Sequence, residues 1–317
     1  MIGGAASKLV LFGQRRQGYI APDMAPPTRP IARLVLACLL SLSSGCHRDR
    51  SRPAADSSAS AAPEASATPE ESHAPRPAST LDVAAFMKRG VPSVDRPWSA
   101  KDYSDATGAL RSLKPEALPK LGDPKSGPVF ARFVSEENLK FIHDESIPLD
   151  SRFPEAIELV GEGRKLLRLY LDGELHNTHL EPDLLALTAM TITETAAMLD
   201  LSDAYIKKLN PKDPKFGVRM EGAARMMTGL AEIARGCLVT FTEKFTYSTA
   251  DLRTFAEALR GPFPKVVAGL AAADREEISA KLTEVVADEK DPTLKDSLVA
   301  LQTAVNAEPP RPLTPAN

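Results

Sequence analysis

Two histidines near the middle of the chain have the residue type and the neighbours that a metal site needs. His176 and His179 lie three residues apart, and the carboxylate of Glu181 follows closely. Imidazole nitrogen and carboxylate oxygen are common ligands of Zn²⁺, and a zinc ion with an open position activates water for hydrolysis. These residues are therefore candidate ligands for zinc or another divalent metal, in a metal-binding protein or a metal-dependent hydrolase.

The same string of residues also fits an ordinary surface connection between two helices. Its spacing is not that of the H-E-x-x-H zinc motif, and Glu181 stands directly before Pro182, where a helix is expected to begin. A metal site here would need a distant ligand, for which His143, next to Asp144 and Glu145, is the candidate. Metal binding is therefore the alternative to a non-catalytic function.

Three glycines recur at intervals of seven residues within a segment that is expected to be helical, 218–245. Gly222, Gly229 and Gly236 lie two helical turns apart, so they share one face of that helix. Glycine in a helix interior costs about 1 kcal/mol relative to alanine, so three in register indicate a structural need. Because small residues let another helix approach closely, this face forms either a tight seam within the protein or a groove for a partner or an apolar ligand.

Patterns typical of the common enzyme classes are missing from the sequence. The chain lacks the phosphate-binding string G-x-x-x-x-G-K-[ST] and the nucleophile string G-x-S-x-G. Cys237 has apolar helical neighbours, Ile233 and Phe241 among them, which favours a small core residue over a nucleophile. From residue 81 onward, 30 Lys and Arg face 36 Asp and Glu, a net charge of −6 without a basic run, so nucleic-acid binding is not expected. We therefore assign no catalytic residue and expect a binding or interaction module.

The residues before Cys46 have the three parts of a secretory signal. Arg29 and Arg33 supply positive charge, the stretch 34–42 is largely apolar, and small residues lead up to Cys46. This stretch is too short to span a bilayer, for which about 20 apolar residues are needed. We therefore expect the segment to be removed.

The end of this segment, Ser43-Ser44-Gly45-Cys46, resembles the lipobox of bacterial lipoproteins. The resemblance implies that the chain is cut before Cys46 and that lipid on this cysteine holds it on a membrane of the cell envelope. The family prefers leucine three residues before the cysteine, where this chain has Ser43, with Leu42 one step earlier. The alternative is an ordinary secretory signal whose cysteine is incidental. Under the family's sorting rule, His47 after the cysteine, in place of Asp, favours the outer membrane with the body facing the periplasm.

The segments on either side of this cysteine follow from composition. A signal peptide of ordinary length covers 24–45 if translation begins at Met24, so we expect 1–23, with Arg15 and Arg16 in a long mixed stretch, to lie upstream of the true start. Residues 47–80 contain 9 Ala, 7 Ser and 5 Pro, and no Val, Ile, Leu, Met or aromatic residue. A segment with so little to bury is expected to be disordered, and as a flexible linker it would reach roughly 30 Å. The stretch 46–80 is therefore predicted to be a lipidated cysteine followed by a linker.

The remaining body, 81–308, is predicted to be one all-α helical bundle of five to seven helices. Aromatic residues make up only 5% of the chain, and Ala, Leu, Val and Met dominate its apolar set, which favours helices over a β-sandwich. Repeated prolines in 81–150 predict a loop-rich wrap with short helices, anchored on the bundle by the only tryptophan, Trp98. Pro309 and Pro310 end the last helix, so 309–317 is expected to be a loose tail.

The long helices are predicted from apolar periodicity and from start and stop residues. We expect one from Pro154 to 173, one over 182–209, one over 218–245, one capped by Ser248 and stopped at Gly261, and a hairpin of two over 274–289 and 292–307. The segment 182–209 carries two neighbouring apolar stripes, and between Leu184 and Leu199 only Glu194 is charged. That stretch is too short and too polar to cross a membrane, so it is predicted to be the buried central helix.

Overall fold

The computed structural model confirms an all-α fold. It describes residues 76–176, 179–209, 212–214, 216–242 and 246–311, apart from the side chains at 219–220 and 222–228. The predicted start, signal peptide and lipidated Cys46 lie outside the described residues, as does most of the linker. The described part contains eleven α-helices, two short 3₁₀ helices and no strand.

The helices are numbered here in chain order, and their bounds are as follows: α1 (Val83–Met87), α2 (Ala100–Leu110), α3 (Gly127–Phe133), α4 (Lys140–His143), α5 (Leu149–Glu174), α6 (Glu181–Lys208), α7 (Phe216–Thr242), α8 (Thr249–Leu259), α9 (Pro262–Ala268), α10 (Ala272–Asp288) and α11 (Pro292–Ala307). The 3₁₀ helices are Pro115–Ala117 and Glu136–Leu139. Seven of these described α-helices have eleven residues or more, and the other four are short.

The central helix is α6, as predicted, because it contributes to two hydrophobic cores at once. The first core joins one face of α6 to the wrap and α5, and the second joins another face to α7–α11. The residues of α6 in the first core are Leu184, Leu187, Met190, Ala197, Met198 and Leu201, and those in the second are Leu185, Ala189, Ile192, Ala196 and Leu199. These sets largely coincide with the two stripes in the sequence. A helix with apolar residues on both sides is stable only when neighbours cover both of them.

The buried hydroxyl groups of α6 are satisfied within the helix. The hydroxyl of Thr191 donates to the carbonyl of Leu187 at 2.9 Å, and that of Thr195 donates to the carbonyl of Thr191 at 2.6 Å. Hydroxyls that bond one turn back can be buried without a separate partner. In length and composition α6 could cross a membrane, the one such helix in the described residues, but 78% of its apolar window is buried within the fold. Its burial is that of a core helix.

One helix boundary differs from the predicted one, and one short helix was not predicted. Helix α5 begins at Leu149, five residues before Pro154, so this proline lies inside the helix. A proline in the second turn removes one backbone hydrogen bond, which buried neighbours such as Phe153 and Ala156 offset by packing. Helix α8 ends before Gly261, as predicted, but a short helix that was not predicted, α9, begins at Pro262. Seven residues are too few for a clear helical period in the sequence.

The wrap is fixed by aromatic packing around Trp98. This side chain is 1% exposed, and its ring meets those of Tyr103 and Phe133 edge to face, at centroid distances of 6.2 and 5.2 Å. The indole N–H donates to the carbonyl of Ser93 at 2.9 Å. Trp98 therefore anchors the wrap on the first core, as predicted.

The last residues of the predicted linker are already attached to the body. The backbone N–H of Ser79 donates to Asp123 Oδ2 at 2.8 Å, and that of Thr80 donates to the carbonyl of Glu116 at 3.0 Å. Arg76 forms an ion pair with Asp183, which lies in the first turn of α6. The contacts of the body thus include residues from Arg76 onward, before residue 81.

Candidate functional site

A depression on the body lies between α6 and α8, and we call it the α6–α8 groove. It has a volume of about 290 Å³. Its floor is apolar and comes mainly from one face of each helix: Leu185, Ala189 and Met190 of α6, with Phe255 and Ala258 of α8. Leu121 and Val134 close it from the wrap. That volume is near the lower limit for a small-molecule pocket, and it suits a few inserted side chains.

The groove follows from small side chains where α6 and α8 lie side by side. Ser248 caps α8 by accepting a hydrogen bond from the backbone N–H of Asp251, which fixes where that helix begins. Phe255 points into the second core and is 2% exposed, whereas Ala258, one turn from Thr254, is exposed. The small side chains at 186, 189 and 258 leave the space between the two helices open.

The charged side chains that line the groove are both acidic. Glu136, in the 3₁₀ helix after α3, is exposed and forms no hydrogen bond or ion pair with a described residue. Asp251 is half-buried, and its Oδ2 accepts a hydrogen bond from the Ser248 hydroxyl at 2.7 Å. None of the described lining residues is Lys, Arg or His. The groove is therefore an apolar channel with an acidic rim.

The predicted glycine row lies on α7, and two of its members can be placed. Gly229 is buried, and Gly236 is half-buried and borders a narrow cleft shared with α5 and α6. That cleft has a volume of about 20 Å³, which is room for about one water molecule. The surroundings of Gly222 lie outside the described residues. Around Gly236 the helices therefore pack as a close seam, with too little space for a ligand. A groove along the whole glycine row stays a prediction.

The predicted metal ligands lie at the connection between α5 and α6. The Nδ1 of His176 donates to the carbonyl of Asp172 at 2.8 Å. His179 has a positive φ of 54°, and its Nδ1 lies 4.0 Å from Glu181 Oε1. Within the part of the chain that the structure describes, no group of three His, Cys, Asp or Glu side chains is placed to hold a metal ion, and His143 is not brought to the pair. Zinc or other divalent metal binding at His176, His179 and Glu181 stays a prediction.

The polar cluster that forms at this connection instead is built on Asp183. This carboxylate is fully buried, pairs with Arg76 and accepts the backbone N–H of Leu121 at 2.6 Å. Arg76 also donates from Nε to the carbonyl of His179 at 2.9 Å. The cluster joins the start of the ordered chain, the wrap and the start of α6. Sequence reasoning missed it, because Asp183 looked like a first-turn residue and Arg76 like part of the linker.

A second buried acid lies in the middle of α6. Glu194 is fully buried against Gly163 of α5, and its carboxylate oxygens accept no hydrogen bond from any described residue. Burial raises the pKa of the Glu194 carboxyl well above its usual value, while the charge of Arg164 nearby acts in the opposite direction. One indication of this burial was present in the sequence, since Glu194 is the one charged residue between Leu184 and Leu199. Glu194 therefore lies in the core, where α5 and α6 pack together.

Cys237 lies in the second core and is 1% exposed. Burial raises the pKa of its thiol to about 12, so the reactive thiolate is not populated near neutral pH. The structure therefore supports the interpretation of Cys237 as a core residue.

The described residues thus form an all-α body with an apolar groove whose charged lining residues, Glu136 and Asp251, are acidic. Comparison with protein-family models, with curated proteins and with solved structures gives no match to this chain.

Proposed function

We propose that this chain is a lipid-anchored protein of the cell envelope whose helical body is a non-catalytic module that binds another protein. The observation that carries the binding function is the α6–α8 groove, an open apolar channel between two helices. Channels of this shape receive apolar side chains from a partner. The signal-like residues before Cys46 and the Ala, Ser and Pro composition after it support the membrane anchor.

The anchor is tested by labelling cells with an alkyne-tagged fatty acid and by mass spectrometry of the mature N-terminal peptide. We expect the label on Cys46, and we expect Cys46→Ala to abolish the label and to leave the signal segment uncut. Cys38→Ala is the matched control, because this cysteine lies in the segment that is removed, and it should leave the label unchanged. A secreted chain with an unmodified Cys46 at or after its N-terminus would contradict the anchor.

Binding is tested separately in the native membrane. A photo-reactive amino acid is placed at single exposed positions over the body, and cross-linked proteins are identified by mass spectrometry. A protein cross-linked reproducibly from one surface supports the binding function. Cross-linking to no protein from any surface would overturn it.

A further inference from the structure

We infer that the α6–α8 groove binds an α-helical segment of another protein that has an apolar face flanked by Lys or Arg side chains. This inference rests on the proposed binding function and names the chemistry of the partner. It follows from the shape of the groove, from its charge and from a comparison of the occupants that this chain itself could supply.

The shape favours a helix as the occupant. The groove runs between two helices, and its floor combines aliphatic, Met and Phe side chains with small residues. An amphipathic helix places residues separated by three or four positions on one face, and such a face fits into a groove of this kind. Met190 on the floor adds an adaptable surface, because the unbranched thioether side chain adjusts to different partners.

The charge favours a basic partner. Glu136 and Asp251 lie in the lining, and Glu136 pairs with no described residue. Arg76, a cation at one end of the groove, is already paired with Asp183 and donates to the carbonyl of Leu121 in the lining. Lys or Arg side chains beside the apolar face of a partner would form ion pairs with these carboxylates and would increase the rate of association.

The occupants that this chain could supply fit the groove poorly. The residues that precede Arg76, over 47–75, include no Val, Ile, Leu, Met or aromatic side chain that could fill an apolar floor. A second copy would bring its own acidic rim, on a body whose net charge is −6 from residue 81 onward, so the two copies would repel each other. An anionic lipid surface would be repelled for the same reason.

The first test measures the binding of model peptides to the full lipid-anchored chain in phosphatidylcholine nanodiscs, with empty nanodiscs as the blank. The probe is a fluorescent helical peptide of about 18 residues, long enough to hold a helix, with Leu on one face and Lys on the other. Its counterpart has Glu in place of Lys. We expect the Lys peptide to bind about tenfold more tightly than the Glu peptide by fluorescence anisotropy, and the difference to shrink as salt is added.

Two substitutions in the groove have matched controls on α10. Glu136→Lys reverses the rim charge and is expected to weaken binding of the Lys peptide about fivefold, while Glu276→Lys makes the same change at an exposed position and should have no effect. Ala258→Trp fills the groove and is expected to weaken binding about tenfold, while Ala280→Trp should not. Circular dichroism checks that each variant is folded. Equal affinities for the two peptides, or no loss in either groove variant, would overturn the inference.

The second test uses the photo-reactive amino acid at Ala258 in cells, with Ala280 as the control position. A cross-link from 258 to a segment with an apolar face and flanking Lys or Arg residues supports the inference. A cross-link to residues 47–75, to a second copy, to lipid or to an acidic segment would overturn it. A partner captured only from other surfaces would overturn it too, yet would leave the proposed binding function standing. The failure of the two proposals can therefore be told apart.

Discussion

Glu194 links the stability of the body to pH through a single side chain. Its carboxyl is buried on α6 against Gly163, with the charge of Arg164 nearby; burial first, and then the charge of Glu194, raise the pKa of Tyr103. The ordinary pKa of a glutamate is 4.5, and burial holds the folded value well above it. Below pH 4.5 the Glu194 carboxyl is protonated in both the folded and the unfolded protein, and its contribution to stability is fully present. As the pH rises, the carboxyl ionises first in the unfolded protein. The free energy of unfolding then falls until the carboxyl ionises in the folded protein as well.

We therefore predict that Glu194→Gln removes one component of this pH dependence. Wild type and variant should have similar free energies of unfolding below pH 4.5, and the variant should gain relative to wild type by about 1.4 kcal/mol per pH unit while only the unfolded carboxyl is ionised. Urea unfolding at a series of pH values measures this. Glu276→Gln, at an exposed position on α10, is the control and should follow wild type. Parallel curves for wild type and Glu194→Gln would contradict the prediction.

At the scale of the element, two neighbouring glycines of α5 have different roles. A Cβ at Gly163 would overlap Glu194 Oε2 and lie 3.2 Å from Cδ, because α5 and α6 approach closely there. A Cβ at Gly161, half a turn earlier, would meet nothing within 4 Å. The sequence contains both in the string Gly-Glu-Gly, which gives no indication that only one of them is required.

We predict opposite effects for alanine at these two positions. Gly161→Ala should stabilise the protein by up to about 1 kcal/mol, because alanine has the higher helix propensity. Gly163→Ala should destabilise it despite the same gain, because the buried Glu194 side chain must move. In a Glu194→Ala background the space is free, so Gly163→Ala should become stabilising. A double-mutant cycle in urea measures the coupling, and additivity of the two substitutions would contradict the assigned contact.

Helices were predicted best where the spacing of apolar residues repeated over several helical turns. The two stripes of α6 were visible because five or six apolar residues recur on each, and the cap at Ser248 was visible from its residue type. Helix α9 was missed, since its seven residues show no period, and the start of α5 was misplaced because Pro154 was assumed to begin it. The α6–α8 groove could not be predicted at all, because it depends on which helices lie side by side.

At the scale of the whole molecule, α6 makes the two cores one cooperative unit. Its two faces belong to different cores, so neither core can lose its packing without exposing part of this helix. The only tryptophan, Trp98, lies in the first core and reports on it by fluorescence. A substitution that destabilises the second core is therefore expected to shift the unfolding transition reported by Trp98 fluorescence.

We predict that Leu298→Ala shifts the unfolding of both cores together. Leu298 is fully buried in the second core, and its truncation should cost about 2–5 kcal/mol. Urea transitions followed by Trp98 fluorescence and by far-ultraviolet circular dichroism should move to lower urea by the same amount. Val299→Ala, at a side chain that is 42% exposed on the same helix, is the control and should change stability by less than about 0.5 kcal/mol. A fluorescence transition that stays in place would show that the cores unfold independently.

The attachment of Arg76 also determines how the body responds to mechanical load. Tension on the chain before Arg76 enters the body through the ion pair with Asp183 and the hydrogen bond to the carbonyl of His179, at the corner where α5 turns into α6. The wrap that follows Arg76 in the sequence is shielded from this load as long as the pair holds. With the proposed lipid anchor, such a force would reach the start of the helix that both cores share, and the α6–α8 groove, which Leu121 closes beside the same corner, would lie next to the point of attachment.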